Sequence, residues 1–242
     1  MDKLAIEKNA INKLLWKYVN GIMLWRLIMA IINNDFHDVL TGRHSVRRFD
    51  PSVKISHEEM TEMLKETITA PSACNLQAWK FVVVDTDEGR EKLHKYFMKF
   101  NFPQIDKSSA IVLFFGNTLA FKKYSKLWHS MYEAKKVTKE AMDAALNTFM
   151  PLYEKAPREM LVADSMVDTS LAAMQFMLIA REHGYDTNAM AGYDSTKAAT
   201  TMGLDPKQYV PVMAIAIGKH DPKAEAEIAT TRYPISDLVD FE

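Results

Sequence analysis

Short runs of β-branched residues, separated by long helical patterns, constrain the fold of this chain more than any other feature. Three runs, 80–85, 110–115 and 209–218, predict buried strands, and a shorter extended stretch is predicted at 185–190. Apolar residues recur at helical spacing between these runs, and no composition break falls between residues 35 and 242. The sequence therefore predicts one α+β domain over 35–242.

Several helix ends carry recognisable signals. Ser56, followed three residues later by Glu59, forms a capping box that opens a helix ending before Pro71. Gly42 is expected to end a short helix, residues 36–42, through a positive φ. These signals place the residues that follow Gly42 on a turn.

Longer segments give further helix predictions. Residues 88–100 predict a helix, and 101–104 predict a turn. Residues 119–157 are polar and aromatic with helical periodicity, and Trp128, Tyr132, Phe149 and Tyr153 are interpreted as core residues or, alternatively, as a lid over a planar ligand. Residues 164–183 are apolar almost all round, which predicts the buried centre of the fold.

Charge and cysteine content exclude several classes of function. The chain has 30 Lys and Arg against 31 Asp and Glu, so its net charge of -1 gives no general attraction to nucleic acid. Its single cysteine, Cys74, excludes an intramolecular disulfide and predicts a reducing, cytoplasmic location. The seven histidines never fall at the close spacing of a ligand pair, so we expect no protein-bound metal.

The common catalytic and nucleotide-binding motifs are absent from the sequence. It contains no GxGxxG strand–helix unit, no GxxxxGK[ST] loop and no GxSxG elbow. Cys74 has no histidine at a suggestive spacing, so it is interpreted as a small semi-buried residue rather than a nucleophile. We predict no catalytic side chain of the hydrolase type.

Residues 1–34 form a separate, predominantly apolar segment. Lys17 and Arg26 interrupt its apolar run, and each charge near the centre of a membrane span would cost about 2.5–3.5 kcal/mol. We therefore expect a helical extension of unclear role that packs on the body or on a partner. A helix lying on a membrane surface is the alternative, and translation starting at Met23 or Met29 is another.

A basic cluster follows Gly42. Arg43, Arg47 and Arg48 surround Ser45 within six positions. Guanidinium groups match phosphate oxygens in pairs, and a hydroxyl with nearby backbone N–H groups can supply further donors. The cluster indicates a local anion site, although a solvated basic turn would have the same composition.

Four segments taken together resemble the FMN-dependent nitroreductase family. They are the basic segment 43–47, the loop Ala-Pro-Ser-Ala-Cys-Asn-Leu-Gln-Ala-Trp at 70–79, the turn Ala-Gly-Tyr-Asp at 191–194 and Arg-Tyr-Pro at 232–234. They occur in the family order over about residues 35–240. The resemblance implies a nitroreductase-like fold with a mostly antiparallel sheet and a C-terminal arm exchanged in a homodimer.

The resemblance also implies a set of FMN-binding residues, with no catalytic side chain and no metal. The basic segment would bind the phosphate and the pyrimidine side of the flavin, and the 71–75 loop would reach the ring from the second subunit. The implied cofactor-binding residues are Arg43, His44, Ser45, Arg47, Pro71, Ser72, Ala73, Asn75, Asn101, Gln104, Ala191, Gly192 and Arg232. Arg48 falls outside the family pattern and is interpreted as a solvated charge.

Four positions depart from the family pattern. Ala73 replaces a common serine, and Ala78 replaces the proline that usually precedes Trp79. Ala191 stands for glutamate or glycine, and Thr230 for a frequent lysine. These departures affect individual contacts and leave the main cofactor-binding pattern in place.

The implied activity is hydride transfer from NADH or NADPH through FMN to small planar acceptors, such as nitroaromatics or quinones, by a ping-pong mechanism. A flavin reductase, or a specialised dehydrogenase or dehalogenase on the same fold, is an alternative. A non-catalytic flavin-binding protein, tethered to a membrane through residues 1–34, is another.

Overall fold

The computed structural model describes residues 32–242. Most of the helical extension predicted at 1–34 lies outside the described residues. Where the description begins, the backbone N–H groups of Ile32 and Asn33 both donate to the carbonyl of Glu182, at 2.9 and 3.0 Å.

Four antiparallel strands form the central sheet, in the order β1-β2-β4-β3. The strands are β1 (Trp79–Val84), β2 (Ala110–Asn117), β3 (Asp186–Met190) and β4 (Tyr209–Gly218). Within the described residues, β1 and β3 are therefore the two edges. The predicted α+β fold with an antiparallel sheet is confirmed.

Eight α-helices surround the sheet in the described part of the chain. They are α1 (Phe36–Gly42), α2 (His57–Thr67), α3 (Asp87–His94), α4 (Phe102–Lys107), α5 (Tyr124–Glu133), α6 (Lys139–Lys155), α7 (Arg158–Glu182) and α8 (Ser195–Thr201). Ser56 caps α2 as predicted, because the Glu59 N–H donates to Ser56 Oγ at 3.1 Å, but the Glu59 carboxylate accepts from the Tyr185 hydroxyl, at 2.9 Å, and does not close a capping box.

The side chains of β2 alternate between two cores because successive residues in a strand face opposite sides. Ile111, Leu113 and Phe115 join the core that packs under α3, α4 and α8. Val112 and Phe114 join the core under α2 and α7. Every residue of β2 is buried, so this strand is the centre of the fold.

Helix α7 is buried on one side only, which corrects the predicted burial of 164–183. Ala173 and Phe176 pack against the sheet and are fully buried. The opposite side exposes Met166 (41%), Val167 (60%), Leu171 (44%) and Met174 (38%). Among the described helices, α7 alone is long and apolar enough to cross a membrane, a test that a packed core helix also passes.

Three local predictions were wrong. Gly42 does not have the predicted positive φ. A side chain at this position would meet the Arg181 guanidinium, so close packing is the reason that glycine is required here. The helix predicted at 88–100 is shorter, since α3 ends at His94. The turn predicted at 101–104 is instead the start of α4, which carries Pro103 in its first turn.

The aromatic residues of 119–157 have mixed environments. Tyr153 is buried, as predicted, but Tyr132 is 41% exposed and is not a core residue in this chain. Tyr124 contacts Trp128 and Phe149 edge to face, with ring centroids 6.0 and 6.5 Å apart. A small aromatic cluster therefore joins α5 to α6.

Candidate active site

The basic segment extends the sheet at its β3 edge. Ser45 forms a parallel bridge with Thr187, and the Val46 N–H donates to the Thr187 carbonyl at 3.0 Å. Val46 is fully buried, whereas its neighbours Ser45 and Arg47 are exposed. Extended backbone therefore directs the hydroxyl and one guanidinium outward from a fixed anchor.

The arginines of this segment differ in their partners. Arg48 pairs with Glu225 at 3.2 Å. Arg43 and Arg47 make no ion pair with any residue of the described chain, 32–242, although the Arg47 N–H donates to the Glu227 carboxylate at 2.6 Å. An acidic side chain thus already uses a backbone donor of this segment, as expected for a site that attracts anions.

Two buried amides hold the neighbouring turn. Asn101 Nδ2 donates to the Gly192 carbonyl at 2.9 Å. Gln104 donates its amide to the Asn101 carbonyl at 3.1 Å and accepts from Asn188 of β3 at 3.3 Å. Asn101 and Gln104 are only 4% and 5% exposed, so both primarily fix backbone geometry at this edge.

The turn at 191–194 has room only for glycine at its second position. A Cβ on Gly192 would lie 2.6 Å from the Phe100 ring and 2.7 Å from Asn101 Nδ2. The Gly192 carbonyl also accepts from the Met98 N–H, at 2.9 Å, while its own N–H has no acceptor within the described residues. This turn therefore presents a backbone donor from a rigid frame.

Asp194 ends the turn by capping α8. Its carboxylate accepts from the Thr196 N–H at 3.0 Å and pairs with Lys197 at 2.8 Å. The hydrogen bonds from Lys197 and Thr196 lower the pKa of Asp194 to about 2. The side chain is therefore an ionised structural cap rather than a proton donor.

The 71–79 loop is held by α7. The Ala73 N–H donates to Asp168 Oδ1 at 2.9 Å, and the Thr169 hydroxyl donates to the Ala78 carbonyl at 3.2 Å. Asp168 is 2% exposed, and this burial raises the pKa of its carboxyl group. The helix thus fixes both ends of the loop.

The same loop contains strained backbone. Cys74, Asn75 and Gln77 have φ values of 50°, 56° and 50°, in the left-handed region that non-glycine residues seldom adopt. Such a conformation persists only where the surroundings impose it, and it is frequent at functional sites. The contacts to Asp168 and Thr169 supply that constraint.

One chain does not bring the two groups of predicted residues together. Thr187, beside Ser45, is level with Ala110 of β2, whereas Trp79 pairs with Gly116 at the far end of β2. Strand geometry places Thr187 and Trp79 roughly 25 Å apart, and it places the turn after Met190, which is level with Leu113 of β2, roughly 15 Å from β1 across the sheet.

The predicted site residues therefore fall into three places. Arg232 lies on the exposed C-terminal arm, where, among residues 32–242, its guanidinium donates only to Thr230 and Thr231. The sheet edge formed by β3, termed the β3 corner, holds Arg43, His44, Ser45 and Arg47 beside its start and Asn101, Gln104, Ala191 and Gly192 around its end. The loop before β1, termed the β1 corner, holds Pro71, Ser72, Ala73 and Asn75.

Two supporting residues were not predicted from the sequence. Asp168, the acidic residue that supports the 71–79 loop, could have been noticed as the single charged residue between Ser165 and Ala180. Asn188 links β3 to Gln104, but its position in a strand of five residues gives little signal of that contact.

Comparison with known proteins identifies a family that matches most of this chain. The model of the Nitroreductase family matches residues 40–219. A Bacillus subtilis protein named “Putative NAD(P)H nitroreductase YdgI” is 40% identical over 88% of this chain and all of its own length.

An enone reductase is more similar still. The “CLA biosynthesis enone reductase” of Lactiplantibacillus plantarum is 51% identical over 88% of this chain and 97% of its own. The crystal structure of CLA-ER, described as an enone reductase of “a gut-bacterial fatty acid saturation metabolism”, superposes with a TM-score of 0.80 at 51% identity, over 87% and 99% of the two chains.

A third relative was crystallised with its cofactor. This Exiguobacterium sibiricum protein, a “putative nitroreductase in complex with FMN”, is 37% identical and has a TM-score of 0.82 over 87% of this chain and 98% of its own. The sequence motifs, the fold and the similarity over nearly the whole length of these relatives agree, and the chain belongs to the nitroreductase family of oxidoreductase enzymes.

Proposed function

We propose that this chain transfers hydride from NAD(P)H through FMN to electron-poor planar acceptors by a ping-pong mechanism, in a homodimer whose sites each use both subunits. FMN is the cofactor and NAD(P)H the electron donor, as in the relatives named for them. The separation of the basic segment from the 71–75 loop carries the proposal, because one chain does not bring together the residues predicted to contact one flavin.

The β3 corner fits FMN chemically. Arg43 and Arg47 offer guanidinium groups without ion pairs in residues 32–242, which suits a phosphate. The Gly192 N–H, directed by a turn that admits no side chain, suits an acceptor nitrogen of the ring. Bound FMN supplies the redox chemistry, taking two electrons as hydride and passing them on, so the protein needs no acid or nucleophile of its own.

The second subunit would complete the site with its 71–75 loop. Helix α7 exposes four large apolar residues, and the C-terminal arm exposes more: Ile228, Tyr233, Ile235, Leu238 and Phe241 are 65–96% exposed. Apolar surface of this extent typically marks a protein interface. We propose that these surfaces meet in the homodimer and that the arm, with Arg232, is exchanged between subunits.

The ping-pong order follows from a shared binding slot. We propose that the nicotinamide leaves the face of the ring before a planar acceptor, such as a quinone or a nitroaromatic, occupies it. Parallel lines in double-reciprocal plots at several acceptor concentrations are expected. Intersecting lines would contradict a shared slot.

Enone reduction is the second candidate, favoured by the 51% identity with an enone reductase. In that reaction the hydride that originates from NAD(P)H adds to the carbon β to a carbonyl, and a solvent proton adds to the α carbon. The product is the saturated ketone, and NAD(P)⁺ is released. A panel of quinone, nitroaromatic and enone acceptors would rank the two candidates.

A cytoplasmic location is part of the same proposal. The single cysteine requires no oxidising compartment. Fractionation of native cells should recover the protein with soluble enzymes, and recovery with membranes that depends on residues 1–34 would favour the tethered alternative.

Subunit complementation tests the shared site directly. One variant carries Arg43→Ala and Arg47→Ala, and the other carries Asn75→Ala with Ser72→Ala; each homodimer should be weakly active. Random reassociation makes half of the dimers mixed, each with one intact site, so activity should recover to about a quarter of the wild-type value. No recovery after demonstrated subunit exchange would contradict sites built from two chains.

A further inference from the structure

A cleft of about 420 Å³ lies beside the 71–79 loop. The loop, the start of β1 and the segment from 120 into α5 line it. The lining residues are Leu76, Gln77, Trp79, Ala120, Lys123, Tyr124, Lys126, Leu127 and Ser130. This volume falls within the usual range for small-molecule sites.

The floor of the cleft is apolar and aromatic. Trp79 stacks on Phe81 with ring centroids 6.3 Å apart, and Tyr124 is 2% exposed. Leu76 and Leu127 complete this lining and are half-buried. These side chains offer a hydrocarbon chain an apolar strip to lie on, while polar groups supply nearly as much of the exposed lining.

The rim of the cleft is cationic. Lys123 and Lys126 are three positions apart, so both lie on the same side of this turn. Among the described residues, no acidic side chain lines the cleft, and neither lysine forms an ion pair. A ligand with an apolar body and an anionic end matches this distribution of charge.

The cleft also adjoins the cofactor-contacting loop. Leu76 and Gln77 line it and follow directly on Asn75. We propose that the cleft binds a fatty-acid acceptor bearing an enone, with Lys123 and Lys126 on the carboxylate and the chain along Trp79 and Leu127. The conjugated end would then point past Leu76 towards the ring; this assignment rests on the proposed function.

Acid and ester substrates test the charge at the rim. Wild-type holoenzyme is assayed with a medium-chain enone fatty acid, its methyl ester and an uncharged quinone. The acid should have a KM about tenfold or more below that of the ester, with similar kcat, because the ammonium groups bind a carboxylate remote from the reacting carbons. Equal KM values for acid and ester would overturn the proposal.

Substitutions assign that preference to the two lysines. Lys123→Ala with Lys126→Ala should raise KM for the acid about tenfold or more and leave the ester and quinone unchanged. Arginine at both positions should restore the preference, whereas Lys122→Ala, a neighbouring exposed lysine outside the lining, should have no effect. An acid preference that survives the double alanine variant would overturn the assignment.

A binding measurement separates this inference from the proposed function. Calorimetry of holoenzyme with the saturated keto acid, a product that cannot be reduced further at a double bond, should show about tenfold weaker binding for the double alanine variant. If quinone is reduced but the acid binds no better than its ester, the cleft assignment fails alone. If the protein retains no FMN and reduces none of the acceptors, the proposed function fails and the inference with it.

Discussion

The two corners of the sheet that contribute to the proposed site are built in different ways. At the β3 corner, Asn101 and Gln104 satisfy the surrounding backbone, so the turn at Gly192 is rigid without strain. At the β1 corner, three non-glycine residues adopt left-handed backbone and depend on Asp168 and Thr169 of α7. One corner is fixed by its own hydrogen bonds, and the other is held in shape by a helix.

This difference suggests a division of tasks. The β3 corner carries guanidinium groups without ion pairs in the described chain and suits binding the cofactor phosphate. The β1 corner combines a constrained loop with an apolar cleft and suits contact with the ring and the acceptor. Changes at the first should therefore alter FMN affinity, and changes at the second should mainly alter loop geometry and acceptor binding.

The largest effect is expected at the basic segment. Arg43→Ala with Arg47→Ala removes two charge-assisted contacts to phosphate and should weaken FMN binding roughly 1,000-fold. Arg48→Ala is the matched control, because Arg48 already pairs with Glu225, and should change affinity only slightly. Fluorescence titration of the apoprotein with FMN measures the affinity of each variant. An equal loss of FMN affinity in the two variants would remove the distinction between these arginines.

A charge on the exposed side of α7 should disrupt the dimer that joins the two corners. Leu171 is 44% exposed in the single chain, so Leu171→Glu should leave the fold intact. Because an isologous interface would contain the substitution twice, dimer affinity should fall roughly 100-fold. Sedimentation velocity gives the mass, and an unchanged dimer would place the interface elsewhere.

A methyl group at the rigid turn should have an intermediate effect. Gly192→Ala forces contacts with Phe100 and Asn101 and should lower the free energy of unfolding by about 1–3 kcal/mol, with weaker FMN binding. Gly203→Ala is the control: Gly203 has a φ of 74°, and an added Cβ would meet no described residue within 4 Å, so stability should fall by about 1 kcal/mol while FMN affinity stays constant. Chemical denaturation and FMN titration report the two quantities separately.

The smallest effect is expected at the clamp on the strained loop. Asp168→Asn keeps an oxygen for the Ala73 N–H and should cost only about 1 kcal/mol at neutral pH. Burial raises the pKa of Asp168, so the folded state binds this proton more tightly than the unfolded state. The contribution of Asp168 to the free energy of unfolding therefore falls as the pH rises above the ordinary aspartate range. As the pH is lowered from 7 towards 4, the free energy of unfolding of the wild type, measured in urea, should therefore increase relative to that of the variant. A difference that stays constant with pH would contradict a raised pKa.

Much of the fold was predictable because it depends on local periodicity. The predicted strand runs, at 80–85, 110–115, 185–190 and 209–218, coincide with β1 to β4, and the N-cap serine, Ser56, marks the start of α2. The prediction that α7 is buried all round was wrong, because an apolar helix surface does not reveal whether its own sheet or another surface covers it. Pro103 could have indicated the helix start at 102, since proline favours the first turn.

The candidate site was less accessible from the sequence. Motif resemblance supplied its residue list, and the structure groups that list into two corners and an exposed arm. The left-handed backbone at Cys74, Asn75 and Gln77 could not be predicted, because contacts with residues almost 100 positions away impose it. The cleft beside Lys123 likewise exists only once β1 and α5 are adjacent.

The two sides of helix α7 have different tasks, and this links subunit association to cofactor retention. Its inner side holds the 71–79 loop through Asp168, while its outer side is the apolar surface proposed to meet the other subunit. By mass action, a ligand that binds only the dimer shifts the monomer–dimer equilibrium towards the dimer. Dilution below the dimer dissociation constant releases that ligand. The apparent affinity for FMN should accordingly rise with protein concentration, and saturating FMN should hold dilute protein in its dimeric form.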